Sequence, residues 1–239
     1  MLAGRTRQNR WVTDTLFTIP LWADLLAVAI GSLQGAMFAS GFRDRRLDFL
    51  GVAIIGIATG LGGGLFRDLF LNVSPVAFQT NWYLPIAVLA SLLGMLLGRI
   101  FSRLSIAIAV LDALTIGLFA AIGTSKALAI GLPAVPAIVI GVIGGVGGSI
   151  ARDILLNLPI ALMHVGSLYA IAAVAGCSLL VAIVASGVPI TVAAVVCVVV
   201  TTLIRILAVR FGWSLPEQRA LSRLPRLPRW PHTGRGPHR

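Results

Sequence analysis

Charged residues are scarce in this sequence. They make up 11% of its 239 residues, whereas hydrophobic residues make up 58%. A soluble domain has about 25% charged and about 45–50% apolar residues. The apolar runs occupy nearly everything between Leu16 and Phe211, so there is no room for a separate soluble domain. The composition therefore predicts an integral membrane protein.

Cysteine is also rare, and its placement excludes several kinds of chemistry. Cys177 and Cys197 both lie within apolar runs, where neither is placed like a metal ligand or a structural disulfide. The sequence contains no cluster of metal-ligating residues and no nucleophile–base set, so we predict no metal, no cofactor and no enzymatic activity. The net charge of +11 resides in tails and short loops rather than on one face, which does not favour a nucleic-acid partner.

The apolar runs predict the helices. A membrane-spanning helix needs about 20 mostly apolar residues. Seven runs meet this requirement, near residues 16–40, 49–71, 84–102, 106–128, 134–156, 163–186 and 188–210. The linkers between them are short, which predicts mostly antiparallel neighbours. The predicted fold class is an all-α membrane protein with seven transmembrane helices.

A glycine-rich stretch occurs twice, 85 positions apart. The segments Gly60–Asn72 and Gly145–Asn157 are identical at seven of thirteen positions. Asp24 and Asp112 stand 88 positions apart in the first helix of each copy. Three helices separate equivalent positions, so the second copy must be inverted in the membrane. The predicted organisation is an N-terminal tail (1–15), a first repeat (16–102), a second repeat (103–186), a seventh helix (187–213) and a basic, proline-rich, disordered tail (214–239).

The glycine clusters allow two interpretations. Glycines spaced by four residues are typical of close helix packing. Adjacent glycines point in different directions, and this favours a backbone break that lines a water-filled path. We predict that helices 2 and 5 are broken there and line an ion pathway. The residues assigned to it are Gly60, Gly62, Gly63, Gly64, Gly144, Gly145, Gly147, Gly148 and Ser149.

Charged residues also occur inside the apolar runs. They are Asp24, Arg67, Asp68, Asp112, Lys126, Arg152 and Asp153. Such a charge costs about 2.5–3.5 kcal/mol at a helix centre, so each needs a partner or water. Sequence neighbours on a helix do not face each other, and the inverted repeat instead predicts the pairs Asp24–Arg67 and Asp112–Arg152. These pairs either hold helices together or line a pathway, and Lys126 either extends to the lipid headgroups or senses the membrane voltage.

The distribution of basic residues predicts the orientation. Loops and tails on the side of the C-terminus carry thirteen arginines, against four basic residues on the side of the N-terminus. By the positive-inside rule the C-terminus is cytoplasmic and the N-terminus is outside the inner membrane. The basic tail fixes this orientation or binds anionic lipid.

The doubled Gly-Gly-x-x-x-Arg-Asp-x-x-Leu segments, with Gly123–Leu128 between them and Phe211–Trp213 closing the last helix, resemble the bacterial branch of the trimeric intracellular cation channel family. The resemblance implies seven helices from two inverted repeats, with glycine kinks in helices 2 and 5. It also implies a homotrimer with a pore in each subunit that passes monovalent cations, chiefly potassium. Lys126 falls near the position linked to voltage response in animal members, and Ser149 replaces a third glycine.

Two functions remain open from the sequence. One is a passive channel for potassium or sodium ions; the other is a carrier for a small amino acid such as glycine, since related bacterial sequences are also classed as glycine transporters. Four acidic residues against three basic ones within the apolar runs favour a cation. The expected partners are these ions, membrane lipids and further copies of the chain.

Overall fold

Seven α-helices form the protein within residues 20–41, 47–100, 105–163 and 168–213, which are the residues that the computed structural model describes. The helices are α1 (Leu21–Ser40), α2 (Phe49–Phe70), α3 (Tyr83–Ile100), α4 (Ser105–Ala129), α5 (Ala134–Leu155), α6 (Tyr169–Ala185) and α7 (Ile190–Phe211). Five of them are long and apolar enough to cross a membrane, and α3 and α6 are shorter apolar helices. The prediction of an all-α membrane protein with seven helices is confirmed.

The predicted helix bounds differ from the structure mainly at α6, which begins at Tyr169 rather than near residue 163. Residues 161–163 instead form a separate 3₁₀ turn. This turn is held against the end of α5, because the backbone N–H of Ala161 donates to Asp153 Oδ2 at 2.9 Å. The predicted start of helix 1 at residues 16–19 and both predicted tails lie outside the described residues.

The ends of α2 and α5 explain why the repeated motif finishes on asparagine. Asn72 and Asn157 have positive φ angles of 53° and 50°, a conformation that asparagine tolerates better than most residues. The backbone N–H of Val73 donates to Asp68 O at 3.0 Å, and that of Leu158 donates to Asp153 O at 2.8 Å. These bonds close a Schellman motif, which satisfies carbonyl groups at the helix end. The motif is therefore partly a helix stop signal.

The two repeats pack alike at the atomic level. In the first, Gly56 of α2 approaches α1 so closely that a Cβ atom would lie 2.8 Å from Ser32 O. In the second, Gly141 of α5 approaches α4 in the same way, with a Cβ–Ala120 O distance of 2.8 Å. Gly141 is 85 positions after Gly56 and Ala120 is 88 positions after Ser32, which matches the spacing of the repeat. The seventh helix, α7, packs against α4 and α6 and has no counterpart.

The two repeats meet where α2 crosses α5 through their glycine clusters. A Cβ atom on Gly63 would clash with Gly144 O, and one on Gly148 would clash with Thr59 O. These contacts are equivalent across the repeat, because Gly63 corresponds to Gly148 and Thr59 to Gly144. Only glycine at these positions allows the two backbones to touch.

The predicted breaks in helices 2 and 5 are wrong. α2 is helical from Phe49 to Phe70 and α5 from Ala134 to Leu155, so both glycine clusters lie within continuous helix. A continuous helix satisfies its backbone N–H and C=O groups without water at membrane depth, and this gain outweighs the cost of about 1 kcal/mol per glycine. Glycines of one cluster face different neighbours: Gly60 packs against α1 and Gly63 against α5.

Candidate functional site

One cluster of buried charges lies where α2 and α4 end and where α1 and α3 begin; we call it the Lys126 cluster. It contains Asp24, Arg67, Asp68, Tyr83 and Lys126. Arg67 Nη1 lies 3.6 Å from Asp24 Oδ1, so the predicted Asp24–Arg67 pair is confirmed. The Tyr83 hydroxyl donates to Asp24 Oδ2 at 2.7 Å. Lys126 Nζ donates to Asp68 Oδ1 at 2.7 Å and is 19% exposed, whereas Arg67 is 1% exposed.

A second cluster lies at the opposite end of the bundle; we call it the Arg205 cluster. It contains Asp112, Arg152, Asp153, Tyr169 and Arg205. Arg152 Nη1 lies 3.5 Å from Asp112 Oδ1, so the second predicted pair is also confirmed. Arg205 Nη2 lies 3.4 Å from Asp112 Oδ2, and its guanidinium carbon lies 3.7 Å from the centre of the Tyr169 ring.

The expectation that sequence neighbours do not pair fails at both arginines. Arg67 Nε donates to Asp68 Oδ1 at 2.7 Å, and Arg152 Nη2 donates to Asp153 Oδ1 at 2.9 Å. Adjacent residues point about 100° apart around a helix, but the long arginine side chain spans this angle and places its planar fork against the carboxylate. Each arginine therefore bridges two carboxylates.

The second carboxylate of each motif also holds the chain that follows the helix. Asp68 Oδ2 accepts the backbone N–H of Val76 at 3.0 Å, as Asp153 Oδ2 accepts that of Ala161. A carboxylate that binds an arginine and a backbone N–H at once fixes the loop relative to the helix. The Arg-Asp pair thus positions both the buried charges and the loop that leads to α3 or α6.

A cavity of about 480 Å³ opens beside the Lys126 cluster. Asp24, Arg67, Tyr83 and Lys126 all line it. Arg67 Nη1 is buried without a hydrogen-bond partner, because its 3.6 Å contact with Asp24 is too long for one. A smaller cavity of about 10 Å³ lies deeper, between Gly64, Tyr83 and Phe119, and it has room for about one water molecule.

The other predicted pathway residues occupy different places. Most of the clustered glycines lie at contacts between helices; they are Gly60, Gly62, Gly63 and the glycines of α5. Gly64 is the clustered glycine that lines the small cavity. Gly145 packs against Ile116 O of α4, and Ser149 is buried in α5. The structure therefore favours helix packing as the role of most of these glycines.

Sequence reasoning missed three contributors to the clusters. From the sequence, Arg205 is one of the thirteen arginines on the side of the C-terminus, and Tyr83 and Tyr169 fit the aromatic residues found at both membrane interfaces. One signal was present: Tyr83 and Tyr169 are the two tyrosines of the whole chain, and they stand 86 positions apart, in register with the repeat. Gln34 Nε2 also donates to Asp112 Oδ1 at 3.3 Å, which links α1 to the Arg205 cluster.

The charges in each cluster balance. Each contains two carboxylates and two cationic groups, a pattern that lowers the cost of burying them. Within the described ranges, no group of three or more histidine, cysteine, aspartate or glutamate side chains is arranged to hold a metal ion.

A family of known proteins matches this chain in two segments, one for each repeat. A family model described as "Glycine transporter" matches residues 21–99 and 109–186, which contain α1–α3 and α4–α6. The chain is 34% identical over 199 residues to the UPF0126 inner membrane protein YadS of Escherichia coli, covering 82% of this chain and 94% of that protein. It is 35% identical over 157 residues to a UPF0126 membrane protein of Deinococcus radiodurans, covering 65% and 72%.

Solved structures share the fold. A TRIC cation channel is 31% identical and superposes with a TM-score of 0.72, covering 84% of this chain and 98% of that chain. The trimeric intracellular cation channel orthologue from Rhodobacter sphaeroides is 30% identical, with a TM-score of 0.67 over 80% of this chain and 97% of that chain.

Proposed function

Because this chain belongs to the bacterial branch of the trimeric intracellular cation channel family, which the glycine-transporter model also describes, we propose that it is a membrane channel for monovalent cations, chiefly potassium. The observation that carries the proposal is the superposition on a cation channel over 84% of the chain at 31% identity.

The geometry of the Lys126 cluster supports a cation pathway. Asp24 lines the 480 Å³ cavity together with Arg67 and Lys126. Its partners are Arg67 at 3.6 Å and one hydroxyl, while Lys126 is paired with Asp68. A carboxylate that lines a water-accessible cavity in a low-dielectric bundle attracts cations. The pathway we propose runs from this cavity past Asp24 and the α2–α5 crossing toward Asp112, within one subunit.

We further propose a homotrimer that lies in the inner membrane with its N-terminus outside. The trimeric relatives support the assembly, and the basic residues support the orientation. Since Arg205 and Lys126 belong to buried clusters rather than to loops, each side of the positive-inside count loses one residue, which leaves twelve against three. A stable monomer or dimer mass in mild detergent would contradict the trimer.

Recording from purified protein in planar bilayers tests the proposed function. We expect discrete openings whose reversal potential follows a potassium gradient. The variant Asp24→Asn should lower the unitary conductance, because it removes a carboxylate that lines the cavity. The matched control is Asp48→Asn, an exposed helix-capping residue that caps α2 outside the clusters, and it should conduct like the wild type.

A carrier for a small amino acid is the second candidate, because the matching family model is described as a glycine transporter. In this case the cavity beside Arg67 and Asp24 would bind the carboxylate and the amino group of the substrate. Saturable glycine counterflow in proteoliposomes, without unitary currents in bilayers, would favour the carrier and contradict the channel.

A further inference from the structure

The two charge clusters obtain their second cationic group from different sources. Lys126 lies on α4, inside the second repeat, and pairs with Asp68. The repeat-equivalent position in α1, 88 residues earlier, is Phe38, whose ring centre lies 4.1 Å from the guanidinium carbon of Arg152. The first repeat therefore supplies no cation there, and Arg205 comes instead from α7, which has no counterpart.

The second cationic side chain also contacts a different carboxylate of the motif in each cluster. Lys126 binds Asp68, so Asp24 keeps one arginine contact and the Tyr83 hydroxyl. Asp112, the repeat equivalent of Asp24, is held by two arginines at 3.5 and 3.4 Å and by Gln34 Nε2 at 3.3 Å.

The equivalent carboxylates are therefore not electrically equivalent. Asp24 lines an open cavity and has one guanidinium group within 4 Å, whereas Asp112 lies between two guanidinium groups; both aspartates are nearly buried, at 6% and 5% exposed. A charge in a low-dielectric site interacts strongly with an ion a few ångströms away, so a second guanidinium on Asp112 repels a cation that the carboxylate would attract.

Resting on the proposed channel function, we propose that Arg205 is a positioning residue that neutralises Asp112 and makes the pathway electrically asymmetric. Cations enter more readily past Asp24 than past Asp112. The channel then rectifies: at equal and opposite voltages one current exceeds the other, and the excess reports the difference in how the charges immediately around Asp24 and Asp112 are compensated.

The test is the ratio of the larger to the smaller unitary current in symmetrical potassium chloride, a quantity that does not depend on how the protein inserts. At about 0.01 M salt the Debye length is about 30 Å and at about 1 M it is about 3 Å. We expect a wild-type ratio of about two or more at low salt, as charged entrances concentrate counter-ions, and a ratio near one at high salt.

The variants separate charge from structure. Arg205→Gln should bring the low-salt ratio toward one, because Asp112 then attracts cations as Asp24 does. Arg205→Lys keeps the charge and should keep the ratio. Lys126→Gln should raise the ratio, because it makes the opposite end more negative. Arg210→Gln, an exposed arginine on the same helix, is the matched control and should leave the ratio unchanged.

If Arg205→Gln does not fold, the comparison of Asp112→Asn with Asp112→Asn/Arg205→Gln replaces it. The single variant should raise the ratio, because Arg205 is then uncompensated, and the double variant should return it to the wild-type value; equal ratios in the two would overturn the role of Arg205. A linear wild-type current at low salt, an unchanged ratio in Arg205→Gln, or an equal change in Arg210→Gln would overturn the role of Arg205. A wild-type protein that passes no cation current would contradict the proposed function itself.

Discussion

Each buried arginine of the repeated motif contacts two carboxylates, one on its own helix and one on the first helix of its repeat. Arg67 binds Asp68 at 2.7 Å and lies 3.6 Å from Asp24. The longer contact was predictable from the sequence, because inversion of the repeat places both residues at the same end of the bundle. The shorter one was not, since the helix-face rule leaves out the reach of an arginine side chain.

We predict unequal losses of stability when this pair is broken. Arg67→Gln leaves two buried carboxylates short of a partner and should cost about 3–5 kcal/mol of unfolding free energy. Asp24→Asn should cost less, because Arg67 retains Asp68. The double variant should lose clearly less than the sum of the two. Unfolding in mixed micelles measures all three.

Two comparisons make this double-mutant cycle specific. Asp24 and Arg152 lie in different clusters, so their double variant should be additive. Asp48→Asn alters an exposed aspartate and should change the unfolding free energy little. Equal coupling of Asp24 to Arg67 and to Arg152 would contradict the pairing seen in the structure.

At the scale of the helix, the glycine clusters serve contact between helices rather than interruption of them. The sequence allows both interpretations, and the break was predicted because adjacent glycines point in different directions. The structure shows that α2 has close neighbours in several directions, with α1 beside Gly60 and α5 beside Gly62 and Gly63. Which helices pack against α2 is decided by the tertiary structure, and the helix propensity of its residues does not reveal it.

Two adjacent glycines of α2 give a sharp prediction. In Gly63→Ala the new methyl group meets the backbone oxygen of Gly144, which cannot move without shifting α5. In Gly64→Ala the nearest atom is Arg67 Nη2 at 3.8 Å, an ordinary contact. We expect Gly63→Ala to destabilise the protein by about 1–3 kcal/mol.

The control variant Gly64→Ala should be neutral or slightly stabilising, because alanine favours a helix more than glycine does. Thermal unfolding in detergent compares the two directly. A loss of stability in Gly64→Ala as large as in Gly63→Ala would show that helix flexibility, rather than close approach, is what the cluster provides.

At the scale of the whole molecule, the features that could be predicted from the sequence are those that the internal repeat shows twice. The number of helices, the inversion and the Asp–Arg pairs all follow from hydropathy and from the spacing between Asp24 and Asp112 or Arg67 and Arg152. The contributions of α7 do not, because this helix has no second copy against which to compare it. In the sequence, Arg205 is indistinguishable from the other basic residues near the C-terminus. The structure shows that it lies beside Asp112.

Lys126 is the one lysine of the 239-residue sequence, and it lines a cavity that opens at one end of the bundle. The chain thus contains its own chemical reporter of sidedness. A membrane-impermeant amine reagent added to intact cells should acylate Lys126 if the N-terminal side faces outward, as we propose, and should spare it otherwise. The variant Lys126→Arg keeps the charge but removes this reactive amine, so the signal that it abolishes belongs to the cavity and not to the N-terminal amine.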